Sequence, residues 1–315
     1  MEPISLKNIK RYSIRERKSK VKVEEFGSAW NGGTLLDWLY SLPDILCARD
    51  LKQIVKKVSD AVQSRKMVLL GMGAHPIKIG LSPVIIDLMK KRIIRGIAMN
   101  GACIIHDLEI AMAGNTSEDV EEELRCGRFG MTEETAVLLN RAISEGYKKR
   151  IGLGCAVGKM ISESDFPYKK YSILANAYEL KIPATVHVAI GTDIIHMHPE
   201  ADPAAIGWTS HLDFRIFAKL VSELEGGVFI NMGSAVIIPE VFLKALSLVR
   251  NLGYNVYEFT AINLDFIKQY RATVNVVERP TKEKGKGYYI IGHNEIMFPL
   301  IAALIQEELK RRLKD

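Results

Sequence analysis

Seven histidines lie scattered through 315 residues, and five of them follow closely on an apolar run. His75 stands in "GMGAHPIKIG", His106 in "NGACIIHD", His196 and His198 in "IGTDIIHMHPEAD", and His293 in "IIGHNE". An imidazole changes charge near neutral pH, so these positions suit proton transfer or metal ligation. Acids accompany them: Asp107 adjoins His106, and Asp193 and Glu200 flank the His196–His198 pair. On an extended segment His196 and His198 would point to the same side. An isolated histidine is more often a hydrogen-bonded structural residue; the shared placement after apolar runs is what raises these five above that background. His106 and Asp107 are neighbours in sequence, but adjacent helical residues do not face each other. Asp107 is therefore expected to serve a helix N-terminus or a ligand as readily as His106. The four cysteines, Cys47, Cys103, Cys126 and Cys155, form no C-x-x-C pair, which argues against a structural zinc knot or a disulfide framework.

A second chemistry is suggested by glycines. In residues 71–80 Gly71, Gly73, Ala74, His75 and Gly80 surround Lys78, the composition of a turn whose backbone cradles phosphate while a lysine supplies charge. Pro76 stands where the third glycine of a strict G-x-G-x-x-G would fall, and the next strand ends in Asn100-Gly101-Ala102 instead of a ribose-binding acid. The plain alternative is a tight strand-to-helix turn.

These residues need a frame to position them. Short β-rich runs at 67–70, 96–99, 184–189, 227–231, 254–259 and 288–291 alternate with amphipathic stretches at 50–65, 82–93, 116–125, 132–149, 169–181, 213–225, 240–252 and 295–312. Such alternation predicts an α/β fold: a doubly wound, mainly parallel sheet with helices on both faces. Ligands of open parallel sheets sit beyond the carboxyl ends of the strands, where all five histidines fall. The chain reads as one domain over 27–315, with a mainly helical insertion at about 100–170, behind an arm at 1–26. Eight Lys/Arg against two Glu within residues 1–22 account for the whole net charge of +6. No aromatic ladder accompanies that charge, so nucleic-acid binding is not expected. No run approaches the ~20 apolar residues of a membrane helix, and no secretory leader is evident, so the cytoplasm is the expected location.

Five segments, taken in order, resemble the deoxyhypusine synthase family. "GAHPIKIG" (73–80) takes the place of that family's "TSN…SSG" cofactor loop. "GACIIHD" (101–107) is similar to "AGGVEED", with His106 for a glutamate and Asp107 kept. "TDIIHMH" (192–198) is similar to "GDMIFFH", matching Asp193 and His198 to an acid and an active-site histidine. "TAINLD" (260–265) is similar to "TAQEFD", pointing to Thr260, Ala261 and Asp265. "HNEIMFPLIAA" (293–303) resembles "DASLVFPLLVA", with His293 for an aspartate and Asn294 beside it. The resemblance implies a doubly wound NAD-binding fold, a homotetramer and amine chemistry. One departure is large. The family's essential lysine lies in "GGGVVKHH", whereas the same region here reads "GSAVIIPEVFLK" (233–244), with no lysine from 233 to 243. Lacking that nucleophile, the covalent relay of deoxyhypusine synthesis has no acceptor.

Three readings follow. The first is an NAD-linked enzyme acting on a small amine or polyamine by hydride transfer, with or without aminoalkyl transfer. Its catalytic residues are drawn from His198, His106, Asp107, Asp193 and His196. Its cofactor is held by Gly71, Gly73, Ala74, His75, Lys78, Gly80, Asn100, Gly101, Ala102, Thr260, Ala261, Asp265, His293 and Asn294. The second is a metal enzyme holding zinc, iron or manganese through His75, His106, His198 and His293. The third is a ligand-binding scaffold of the same fold without catalysis.

Overall fold

The computed structural model describes residues 1–313; the last two residues of the expected 27–315 domain lie outside the described residues. Its elements run α1 (Leu35–Ser41), α2 (Leu46–Gln63), β1 (Val68–Met72), α3 (His75–Lys78), α4 (Ser82–Lys90) and β2 (Gly96–Asn100). Five helices follow: α5 (Gly101–Ala113), α6 (Val120–Arg125), α7 (Glu133–Lys149), α8 (Leu153–Ser162) and α9 (Ile173–Glu179). The chain continues through β3 (Ala184–His187), α10 (Pro203–Val221), β4 (Val228–Met232), α11 (Ile237–Asn251) and β5 (Thr260–Asp265). It closes with α12 (Tyr270–Ala272), which runs on as a wider turn over Thr273–Glu278, then β6 (Lys286–Ile291) and α13 (Asn294–Arg312). Among the described residues the sheet has six strands, all parallel, in the order β3-β2-β1-β4-β5-β6. That is the doubly wound α/β arrangement expected, and the strand order reverses between β1 and β4.

Strand side chains alternate between two cores, as the period of two requires. Val68, Leu70, Met72, Val228, Ile230, Met232, Ile262 and Leu264 face one core, shared with α2, α4 and α13. Leu69, Ala98, Phe229 and Ala261 face the other, against α10 and α11. There Phe229 stacks on Phe242 with ring centroids 3.9 Å apart; removing either ring would cost about 3–5 kcal/mol.

Helices α1, α5 and α8 lie outside the expected amphipathic stretches, and two further differences have a plain local cause. The fifth strand is not 254–259 but Thr260–Asp265. The alternating tyrosines and valine of "YNVYEF" suggested a strand, yet Glu225 takes the Tyr257 and Glu258 N–H groups at 2.7 and 2.9 Å and ties this segment into the turn below the sheet. The polar-looking "TAINLD" is the buried strand, its amides satisfied by the ladder. Helix α10 likewise starts ten residues before the expected 213, because Asp202 accepts from the Ala204 and Ala205 N–H groups and Pro203 opens the first turn.

Residues 1–24 are exposed throughout. The chain first attaches at Glu25, whose carbonyl accepts from Asp44 N–H at 2.9 Å and whose carboxylate pairs with Arg49 at 2.7 Å. Among the described residues no helix is long and apolar enough to cross a membrane.

Candidate active site

Strand order reverses between β1 and β4, the place where open parallel sheets receive their ligands. Their tips touch backbone to backbone. Gly73 N–H donates to the Met232 carbonyl at 3.2 Å, and a side chain on Gly73 would come within 2.2 Å of the Gly233 carbonyl oxygen. Only glycine permits that approach. His75 opens α3 and leans across the β4 tip toward β5, its ring 5.9 Å from that of Phe266. Asp265, buried at the β5 tip, accepts from Phe266 N–H at 2.8 Å. Burial pushes its carboxyl above the usual range, against the pull of the Phe266 and Ile267 N–H groups and of nearby His75. Lys78, at the end of α3, is exposed.

His106 and Asp107 turn to different tasks. Asp107 is 1% exposed, and its carboxylate accepts from Ser172 Oγ at 2.5 Å, Ile173 N–H at 2.8 Å and Leu174 N–H at 3.1 Å. It caps the start of α9. Although those hydrogen bonds favour the charged form, burial outweighs them and raises its pKa to about 6. Both Asp107 oxygens are thus engaged by the start of α9. His106 lies on the other side of α5. Its Nδ1 is 2.7 Å from Thr116 Oγ1, which donates to Glu109 Oε2. Thr135 Oγ1 donates to the other Glu109 oxygen at 3.1 Å. Burial, helped by the charge of Lys78, drives the His106 pKa down to about 4.

Asp193 sits against the start of α5. A Cβ on Gly101 would fall 1.9 Å from Asp193 Oδ2, so the carboxylate occupies the space a side chain would take. Asp193 is 7% exposed, its Oδ2 has no hydrogen-bond partner, and burial raises its pKa to about 6. Asn100, which precedes α5, makes no side-chain cap; its Oδ1 accepts from Cys103 Sγ at 3.1 Å instead. Ala102 is half-buried in the first turn. In the loop after β3, His196 Nδ1 accepts from Gly191 N–H at 3.1 Å, while its Nε2 is buried without a partner. His198 Nε2 donates to the Gly130 carbonyl at 2.8 Å, pinning the 115–132 excursion to this loop. The two histidines thus serve different neighbours.

On the far side, α13 begins at Asn294, which is 1% exposed and has neither its amide nitrogen nor its amide oxygen paired. The preceding His293 supplies no cap and has a side chain 73% exposed, 3.6 Å from Glu295. Several expected cofactor contacts lie away from the β1–β4 junction. Thr260 and Ala261 open β5 at the opposite edge of the sheet, about 15 Å along the strand from its tip. Gly71 lies within β1, where a Cβ would meet Ile238 and Phe229, so it serves packing. Gly80 takes φ +80 in the turn between α3 and α4 with open space around it.

The metal reading needed His75, His106, His198 and His293 around one point. Loops after β3 and β6 lie five strand spacings apart, about 24 Å. Each imidazole has its own separate neighbours, and among the described residues no three of His, Cys, Asp and Glu stand as a ligand set. That expectation is corrected. Sequence reasoning also missed Glu109, Thr116 and Thr135. The three-residue step from His106 to Glu109 was available as a signal, since i and i+3 share a helix face; the hydroxyls arrive only through folding.

No family model and no curated protein matches the chain by sequence. Solved structures do match by shape. A chain from Entamoeba histolytica, provisionally assigned as a deoxyhypusine synthase, is similar over 94% of this chain and 96% of its own, at 13% identity and TM-score 0.50. ArgZ, an arginine dihydrolase from the ornithine-ammonia cycle in cyanobacteria, is similar over 82% of this chain at 11% identity and TM-score 0.50. A variant of AgrE in complex with L-arginine is similar over 82% at 14% identity and TM-score 0.51. The likeness is one of fold. This chain spans about a third of the length of ArgZ and AgrE, against nearly the whole of the Entamoeba chain.

Proposed function

We propose that this protein is an NAD-linked enzyme acting on a small amine, built on a deoxyhypusine-synthase-like fold and working without an enzyme lysine. The observation that carries this reading is Asp193 Oδ2, a buried carboxylate oxygen with no protein partner. Burying an unpaired charge is costly, and a cationic amine is the ligand that offsets that cost.

The residues around the β1–β4 junction suit a dinucleotide. Gly73 and Ala74 bring bare backbone to the strand tip, α3 leads away with Lys78 as an available cation, and Asp265 closes the neighbouring tip. Asn294 offers an unpaired donor and acceptor at the start of α13, a helix end that favours anions. Bound NAD would supply the hydride acceptor that amine oxidation requires. Among the candidate bases, Asp193 at about 6 lies nearer neutral pH than His106 at about 4, so Asp193 takes the proton from the substrate ammonium. His106 stays neutral and orients the amine through a ring lone pair. His198 holds the excursion in place and His196 the loop. Lys244 sits on α11 in an ion pair with Glu240, so transfer to an enzyme lysine has no place in this scheme. The exposed Phe266, Ile267, Tyr270, Ile291 and Ile296 around β5 and β6 form an apolar border that supports the tetramer implied by the sequence resemblance.

Heat-denaturing the purified protein and assaying the supernatant should release nicotinamide dinucleotide, or titration should show saturable NAD binding. Asp193→Asn should keep that binding while lowering amine-dependent NAD reduction by about 10²–10⁴-fold. Absence of NAD from both experiments would sink the proposal.

A further inference from the structure

We propose that Thr116 and Glu109 are positioning residues that hold His106 in the tautomer protonated on Nδ1, leaving Nε2 as a hydrogen-bond acceptor for the substrate N–H. The use of that acceptor rests on the amine reading above; the tautomer itself does not.

Proton counting sets the direction. A threonine hydroxyl has one hydrogen to give. Thr116 Oγ1 directs it at Glu109 Oε2, and Thr135 Oγ1 directs its own at Glu109 Oε1, 3.1 Å away. A carboxylate accepts on both oxygens and donates on neither. Thr116 Oγ1 therefore meets His106 Nδ1, at 2.7 Å, with a lone pair, and Nδ1 must bear the proton. The lone pair falls to Nε2, on the opposite edge of the ring. The His106 and Glu109 side chains are 13% and 15% exposed, so water competes little for these bonds. His106 Nδ1 is 3.8 Å from Glu109 Oε2, too far for a direct hydrogen bond. The threonine is a required link. Burial, and after it the nearby Lys78 charge, opposes a second proton on the ring, which keeps Nε2 available.

The link comes from an unexpected place. His106 and Glu109 share one face of α5, and Thr135 belongs to the first turn of α7, but Thr116 opens the acidic 115–132 excursion. Glu118 fastens the far end of that excursion by accepting from Gly130 N–H at 2.8 Å and Thr132 Oγ1 at 3.1 Å. Gly130 in turn receives His198. The excursion is accordingly part of the site's machinery, joined to it at Thr116 and at Gly130.

Long-range proton–nitrogen NMR of the full chain carrying 15N-histidine tests this without any substrate. The His106 signals are assigned by their loss in His106→Asn. The expected pattern is Nδ1–H with unprotonated Nε2 at pH 7. Thr116→Ser, which restores a hydroxyl, should keep it; Thr116→Val should lose it while the buried His187 signals remain in place. An Nε2–H pattern in the unsubstituted protein, or an unchanged pattern in Thr116→Val, would overturn the proposal. Once amine-dependent NAD reduction is measurable, Thr116→Val should lower kcat at least tenfold, with recovery in Thr116→Ser. Failure of that arm with the NMR pattern intact would count against the amine reading alone.

Discussion

One step along α5 separates a ring bonded to the 115–132 excursion from a carboxylate bonded to the start of α9. His106 reaches Thr116 and Glu109, whereas Asp107 turns inward to three donors at the start of α9. The helical rotation of about 100° per residue is the whole cause. Because Asp107 is held by Ser172 and two amides, its removal is expected to act on stability before chemistry. Asp107→Ala should lower the unfolding free energy by about 3 kcal/mol, since buried donors left unpaired are expensive. Urea denaturation measures this, and a change below about 0.5 kcal/mol would show that α9 does not depend on the cap.

At the scale of elements, two glycines let neighbouring segments approach closely at the carboxyl edge of the sheet. The β1 and β4 tips meet at Gly73 and Gly233, and α5 meets the β3 loop at Gly101 and Asp193. Neither contact leaves room for a methyl group. At Gly73 the opposing atom is a carbonyl oxygen, which cannot swing aside as a side chain does. Gly73→Ala should therefore force the tips apart and cost about 2 kcal/mol, visible as a lower urea midpoint. An unchanged midpoint would mean that the β1–β4 junction is slack. The mistaken fifth strand belongs to this scale as well. "TAINLD" was legible as a motif but not as a strand, and its polar residues suggested ligand contacts. In the sheet, Thr260 and Ala261 lie at the amino edge while Asp265 lies at the carboxyl edge.

Over the whole molecule, buried titratable groups pull stability in opposite directions. Burial raises Asp107 and Asp193 to about 6 and Asp213 to about 7. For these groups the folded chain binds protons more tightly than the unfolded chain, so their contribution is present at low pH and is lost as pH rises through 6–7. Burial lowers His106 to about 4 and His187 to about 3. Their contribution is complete above pH 6.5 and is lost as pH falls toward those values. Between pH 4.5 and 6 three carboxyls oppose two imidazoles, and a shallow dependence results. Replacing His187 by Gln removes one opposing proton. Stability should then fall with rising pH more steeply by about 1.4 kcal/mol per pH unit across that window. Urea titrations at pH 4.5, 5 and 6 read the slope; a slope unaltered by His187→Gln would mean that the ring is already protonated in the folded chain.

The alternation of apolar runs determined a parallel sheet with helices on both faces, because burial on two sides imposes that pattern whatever the function. It also determined that five histidines follow strands, since connections in such sheets alternate between the two edges. Strand order lay beyond it. The sequence does not state that β4 returns beside β1, and this alone decides which loops share a crevice. So the loops after β3 and β6 stand about 24 Å apart, and the four candidate imidazoles share no metal point. The Thr116 and Thr135 hydroxyls around His106 and Glu109, the isolation of Asp193 Oδ2 and the capping role of Asp107 were likewise decided by tertiary structure. Each depends on where segments distant along the chain come to rest and on which polar atoms are left unpaired there.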